Sequence, residues 1–310
     1  KLTASPCKVF VVMSYDDAYA WEREIREGID GVLSDVCQLK YVYLDTKKHL
    51  ADGEEKARDA WEAYQRFKPD GVIAADDNAQ TLFVVPYLKD KVDAPVIFCG
   101  VNADPADYGY PAGNVAGIVE RLHLRQSIAF AQQLIPSIKT IAYIMRESPS
   151  ARAVMKQYEA ERDTYPVESA AFETPKTLSE AVAMARELKN RIDALFFETM
   201  EGMPAPDGRL LTDREVIPVL AAEFGKPLIS NNLYHVEYGA LCAVVKTGQE
   251  QGRAAGEMLM DAMGGAPVSK MPIRRNREGK RVINLTVMKA LGLRPVSEAL
   301  RGVHLVGLGD

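Results

Sequence analysis

Long apolar runs are missing from this sequence. No stretch reaches the roughly 18 consecutive apolar residues that a membrane-spanning helix needs, so no segment is expected to cross a bilayer. Cysteine is sparse. Cys7, Cys37, Cys99 and Cys242 form no CxxC pair and no Cys/His cluster, which argues against a structural zinc site. His49, His123, His235 and His304 show neither HxxxH nor HExxH spacing, and each reads as a capping or surface residue. Positive charge is not in excess either. The 38 Lys and Arg against 43 Asp and Glu leave a formal charge of −5, the wrong sign for a face that replaces counterions on nucleic acid. No P-loop and no GxSxG nucleophile elbow occurs, and no GxGxxG follows the first apolar run. The turn there is Ser14-Tyr15-Asp16-Asp17, too bulky to wrap a dinucleotide pyrophosphate. No catalytic constellation, metal or cofactor is expected, and a nucleic-acid partner is not.

What is present is an ordinary globular composition, 310 residues with 47% hydrophobic and 26% charged, long enough for about two domains. Residues 8–15 (KVFVVMSY) are a short apolar run ending in a polar turn, as in a buried parallel strand. Residues 16–36 then place Trp21, Ile25, Ile29, Val32, Leu33 and Val36 on one helical face. The alternation continues with strands over 38–45, 71–76, 94–101 and 115–120 and helices over 53–67 and 78–89. It restarts with helices over 121–134, 151–162, 178–191 and 213–224 between strands over 140–146, 165–172, 194–200 and 227–230. Strands separated by helices of this length predict two α/β units with parallel sheets and right-handed crossovers.

The tail adds a strand over 241–245, a helix over 248–263, a short strand over 271–273 and a helix over 284–291. Gly248, Gly252 and Gly256, four residues apart, would let the 248–263 helix lie close against a neighbour, a packing feature. A tail that extends both units crosses between them more than once, and several crossings predict a hinge and a cleft. The expected lobes are 1–119 plus 246–270 and 120–245 plus 271–310. Cys7 and Cys37 each precede a strand by a residue or two. If those strands are parallel neighbours the thiols share a sheet edge, and both a disulfide and two separate thiols remain open.

In parallel α/β sheets, ligands bind beyond the carboxyl ends of strands, where helix N-termini present free N–H groups. Those positions hold Ser14 and Tyr15, then Asp76-Asp77-Asn78, Asn102 and Glu120. In the second unit they hold Arg146 and Glu147, Glu198 to Glu201 with Thr199, and Asn231-Asn232. Bland readings stand beside each. Asp77 and Asn78 could only cap a helix, Tyr15 and Trp21 could be packing, and Glu201 could be solvated. Arg146 is suited to hold a carboxylate bidentately. Acids, amides, Arg and aromatics together suit a zwitterion with an apolar or aromatic side chain.

Several blocks carry a family resemblance. SYDDAYAWEREIREGIDGVL (14–33), YVYLDTKKH (41–49), DGVIAADDNAQTLF (70–83), PVIFCGVNADP (95–105) and NVAGIVERLHLRQSIAFAQQLIP (114–136) resemble ABC-transporter substrate-binding proteins of the tryptophan/tyrosine type. They also resemble related extracellular sensor modules of bacterial signalling proteins. KPLISNN (226–232), the 239–267 segment and INLTVMKALGL (283–293) agree. The resemblance implies a type 1 periplasmic-binding-protein fold, with two Rossmann-like lobes, a three-segment hinge and a ligand in the cleft. It implies a non-catalytic, monomeric protein exported to the periplasm or cell surface, its targeting segment removed before Lys1, with a membrane permease or a signalling protein as partner. The residues it carries over are Ser14, Tyr15, Trp21, Asp76-Asp77-Asn78 and Asn102. Arg146, Thr199 and Glu201 depart from the transport pattern and leave the ligand's identity open. A sensor ectodomain, a repressor's effector-binding domain and an enzyme using Glu120 and Glu201 are the rivals.

Overall fold

Short buried strands followed by amphipathic helices build the chain from its first turn. The structure is a computed structural model and describes residues 5–294 and 297–307. The first passage runs β1 (Cys7–Met13), α1 (Ala20–Leu33), β2 (Cys37–Tyr43), α2 (Gly53–Phe67), β3 (Gly71–Ala75), α3 (Asp77–Ala79), β4 (Val96–Val101) and β5 (Val115–Val119). The α3 turn widens into a π-helical stretch over Gln80–Leu88, which contains Pro86. The second passage runs α4 (Leu124–Leu134), β6 (Thr140–Ile144), α5 (Pro149–Glu161), β7 (Glu168–Glu173), α6 (Leu178–Leu188) and β8 (Ala194–Phe197). A small hairpin follows, β9 (Met203–Pro204) with β10 (Leu210–Leu211), and then α7 (Asp213–Phe224), β11 (Leu228–Ser230), α8 (Leu233–Tyr238) and β12 (Cys242–Val245). The last passage holds α9 (Gly248–Met263), β13 (Arg274–Arg275), β14 (Lys280–Asn284), α10 (Leu285–Ala290) and β15 (His304–Val306).

Two units result, residues 1–121 with 246–278 and residues 122–245 with 279–310, so the chain passes between them three times. The first unit has one sheet, ordered β13-β5-β4-β3-β1-β2, parallel throughout. The second has a sheet ordered β15-β14-β12-β11-β8-β6-β7, parallel except between β12 and β14. The central strands are buried on both faces, as crossover helices require. Val9 to Met13 are wholly buried and share one core with Ile25, Ile29 and Leu33 of α1.

The glycine stripe has a definite seat. A Cβ on Gly252 would lie 2.0 Å from the Ile25 carbonyl oxygen, and one on Gly28 would lie 2.3 Å from that of Gln249. Helices α1 and α9 therefore meet backbone to backbone. At the sheet edge, Cys7 and Cys37 stand opposite each other in the β1–β2 register and are joined as a disulfide.

Several expectations need correction. The return to the later unit falls after Glu278 rather than after residue 270, because β13 pairs with β5. Glu120 and Arg121 likewise belong to the first unit. The strand expected at 271–273 lies at Arg274–Arg275, and the final helix starts one residue later than expected because Asn284 closes β14. Helix α4 starts at Leu124, three residues late. The β9–β10 hairpin, α8, β14 and β15 were not anticipated. Their runs are only two to six residues long, too short to show a period.

Candidate ligand-binding site

In the first unit the chain order reverses between β1 and β3, the switch point at which open α/β sheets leave a crevice. A cavity of about 250 Å³ lies there, lined by Tyr15, Tyr19, Trp21, Asp76, Asn102, Glu120 and Lys246. Three aromatic rings come from the segment that runs from β1 into α1. Tyr15 and Tyr19 meet edge to face with centroids 5.4 Å apart. The Lys47 ammonium lies 3.8 Å from the Tyr19 ring centroid and 5.1 Å from that of Tyr15. Trp21 Nε1 donates to Asp76 Oδ1 at 3.0 Å. Burial and the neighbouring acids Asp76 and Glu22 hold the Tyr15 phenol protonated, well above its ordinary pKa.

Asp76 is the floor of this cavity and 3% exposed. Its backbone lies at φ 70°, ψ 168°, a region open almost solely to glycine and costing about 1–3 kcal/mol. Its amide N–H donates to the Cys99 carbonyl at 2.8 Å. The surrounding backbone is fastened by buried side chains. Ser14 Oγ donates to the Ala75 carbonyl at 2.6 Å and accepts from the Ala79 amide at 2.8 Å. Gln80 Nε2 donates to the carbonyls of Ala74 and Asp76.

Opposite Asp76, Glu120 is 5% exposed, forms an ion pair with Lys246 and accepts from Asn102 Nδ2 at 3.4 Å. Burial raises the Glu120 pKa, and Lys246 opposes that rise. Lys246 Nζ also lies 5.8 Å from the Trp21 ring centroid, within reach of a cation–π contact.

The structure sorts the strand-end residues of this unit. Tyr15, Trp21, Asp76, Asn102 and Glu120 converge on one cavity. Ser14 does not line it, because it is wholly buried and its hydroxyl bonds the Ala75 carbonyl and the Ala79 amide inside the fold. Asn78 donates instead to Thr46 Oγ1 at 2.9 Å. Asp77 is not a helix cap. Its carboxylate accepts from the amides of Asn102 and Ala103 and from the Tyr108 hydroxyl, which shapes the loop after β4.

Sequence reasoning missed Tyr19, Lys246 and Glu22. Lys246 stands directly after a strand, β12, as the other strand-end residues do. Glu22 had a signal too. It is a charged residue three before Ile25 and seven before Ile29, on the apolar stripe of α1, and it is 1% exposed.

In the second unit, Arg146, Thr199, Glu201 and Asn231 sit just beyond β6, β8 and β11. Arg146 donates to the Glu201 carbonyl at 3.2 Å and has no carboxylate partner among the described residues. The Glu201 carboxylate accepts from the Asp213 amide at 2.7 Å at the start of α7, while the residue itself stays exposed to solvent. Asn231 donates to Glu198 at 2.8 Å, with both side chains buried.

Beneath them lies a Ser–His–Asp trio. His235 Nε2 is 3.0 Å from Asp213 Oδ2, and Nδ1 is 2.7 Å from Ser230 Oγ. The carboxylate can only accept, so Nε2 donates to it, and in the neutral ring Nδ1 then accepts a hydrogen bond from the Ser230 hydroxyl. These are the residue types of a hydrolase triad, but Ser230 is wholly buried and its oxygen accepts from the Asn232 amide. The trio is a brace holding the Met200 amide and Thr199 on Asp213. The expectation that every histidine caps or lies at the surface fails at His235, which is buried within α8, whereas His123, also buried, stands at the N-cap position of α4.

Larger hollows exist, one of about 530 Å³ beside the end of α9 among Met258, Met260 and Met271. It lacks buried polar groups, whereas the smaller cavity holds two buried acids and three aromatics, the mixture that orients a small ligand.

An α/β protein of two such units, with a polar and aromatic cavity at the switch point of its first sheet, belongs to the solute-binding class. The chain is a member of the ABC transporter substrate binding protein family, which matches residues 9–301. A "Tyrosine-binding protein" of Clostridioides difficile (strain R20291) is 25% identical over 215 residues, 66% of this chain and 59% of that protein. The match thus spans less than two thirds of that relative's length. Among solved structures, the ligand-free, open structure of a substrate binding protein with adhesive properties from Clostridium difficile aligns over 97% of this chain and 99% of its own. It is 18% identical, with a TM-score of 0.70. An ABC domain from Streptococcus pneumonia in complex with L-Trp aligns over 97% and 100%, at 19% identity and a TM-score of 0.54. These likenesses establish the type 1 periplasmic-binding-protein fold.

Proposed function

We propose that the chain captures an amino acid, of the aromatic kind, for an ABC importer. The observation that carries this reading is the first unit's cavity, where an aromatic wall stands beside a buried acid whose Oδ2 has no donor. An ammonium suits that acid, because a negative charge buried beside the cavity favours a cationic donor over a neutral one. An aromatic side chain suits Tyr15, Tyr19 and Trp21, which offer ring faces and edges for stacking. Asn102, Glu120 and Lys246 complete the surround. The names of the tyrosine-binding relative and the L-Trp complex are in keeping with this choice.

In this proposal Arg146 takes the ligand's carboxylate, with Thr199, Glu201 and Asn231 around it, as the second unit closes over the ligand. A ligand closes such a protein only through extra affinity for the closed form, so both units must contribute. The permease of the importer is the partner, and the chain works outside the cytoplasm. The Cys7–Cys37 disulfide supports that location, since such bonds persist in oxidising compartments.

A thermal-shift screen of the purified chain against L-tyrosine, L-tryptophan, other amino acids, nucleosides, sugars and small carboxylates tests the reading. A ligand at 100 times its dissociation constant stabilises the fold by about 2.7 kcal/mol. Shifts confined to aromatic amino acids support the proposal, and a shift only with sugars or nucleosides overturns it. Calorimetry on Arg146→Ala then reads the carboxylate contact. The expected loss is about 2–5 kcal/mol for a buried pair, against almost none for a solvated one.

A further inference from the structure

Asp76 is not alone under the cavity. Glu22, on the first turn of α1, brings its carboxyl group within hydrogen-bonding reach of that of Asp76. Each group uses one oxygen elsewhere. Glu22 Oε2 accepts from the Tyr15 amide at 3.2 Å, and Asp76 Oδ1 accepts from Trp21 Nε1 at 3.0 Å. The remaining oxygens, Glu22 Oε1 and Asp76 Oδ2, are buried and have no donor. Two ionised carboxylates in that position have only lone pairs to offer each other, and buried charges without donors cost several kcal/mol each. One proton placed between them removes a charge and supplies the missing hydrogen bond at once.

We propose that Glu22 and Asp76 share a single proton at neutral pH, so that the cavity floor carries one negative charge and Glu22 is the residue that matches it to one ammonium group. The neighbouring charges leave that count intact. Glu120 is balanced by Lys246 and Asp16 by Lys48. Cys99, in the adjacent strand, is a buried thiol pushed well above its usual pKa, so it stays neutral. Tyr15 also stays neutral, and Lys47 acts on Glu22 only at a distance. Burial raises both members of the pair, Glu22 raises Asp76 further, and the hydrogen bond with Asp76 draws Glu22 back down, as in dyads that titrate as a unit with one proton between them. Doubly ionised, the pair would exceed the charge of a monocation. Doubly protonated, it would offer the ligand no charge at all. The role given to the ligand rests on the amino-acid reading above, whereas the shared proton does not.

Infrared difference spectroscopy on the whole chain, wild type minus Glu22→Gln at pH 7 without ligand, tests this. Glutamine keeps the shape of Glu22 and can donate to Asp76 Oδ2, so the variant leaves Asp76 ionised. The expected result is a protonated-carboxyl carbonyl band in the wild type that is lost in the variant. A spectrum unchanged by the substitution, or a wild type without such a band, overturns the proposal. Should the variant fail to fold, alkaline titration of the wild type decides: a protonated-carboxyl band that disappears as pH rises supports the proposal, and its absence at pH 7 overturns it. Calorimetry with L-tyrosine separates the two readings. The band without tyrosine binding leaves the shared proton standing and removes the amino-acid reading. Tyrosine binding without the band does the reverse.

Discussion

Asp213 shows how one carboxylate holds a region in place. Burial pushes its pKa up, but His235, the Met200 amide and the Thr199 hydroxyl together pull it below the usual value. An acid whose folded pKa is depressed stabilises the fold above its unfolded pKa of about 3.9, and that contribution is lost as pH falls through the folded value. Asp213→Asn is therefore expected to be less stable than wild type at neutral pH, with the gap narrowing in acid below about pH 4. Urea unfolding of both proteins at neutral and acid pH measures this, and a gap independent of pH would contradict it. The same residue explains a limit of sequence reading. Glu201 and Thr199 were legible as strand-end polar groups, but nothing in the sequence said that Asp213 already engages both of them. Asp76 was legible for a simpler reason, since it follows directly on the carboxyl end of the buried strand β3.

At the scale of elements, the α1–α9 contact is the most demanding. The Gly252 Cα lies so near Ile25 that a methyl group would fall 2.0 Å from a carbonyl oxygen, and no side-chain rotation relieves a backbone clash. Gly252→Ala is expected to cost about 1–3 kcal/mol or more, read as a lower midpoint in chemical unfolding. Gly31→Ala, on the same α1 helix with open space around it, is the control and should be neutral or stabilising. This contact was readable from the spacing of Gly248, Gly252 and Gly256, because a small-residue stripe survives any choice of partner. The hairpin and the β14–β15 edge were not readable. A two-residue strand such as β9 exists only because β10 happens to lie beside it, and that is a property of the tertiary fold.

Across the whole molecule, both units lay their first five parallel strands in the same spatial order: β2-β1-β3-β4-β5 in one, and β7-β6-β8-β11-β12 in the other. The alternation in the sequence revealed that repetition, while the tail's return to each unit was legible only as excess elements. The Cys7–Cys37 bond spans 30 residues in sequence. Replacing both cysteines with serine is expected to lower stability by about 2–4 kcal/mol. A matching loss on adding reductant to the wild type, and none in the double variant, identifies the bond as the source. The bond also makes a covalent ring of residues 7–37, and Tyr15, Tyr19, Trp21 and Glu22 all lie inside it. Asp17 and Ala18 are exposed in that ring. A protease that nicks the chain between them leaves both fragments attached, so the cut is silent on a non-reducing gel and visible on a reducing one. The aromatic wall is thus tethered at both ends, and even a severed chain keeps it on the molecule.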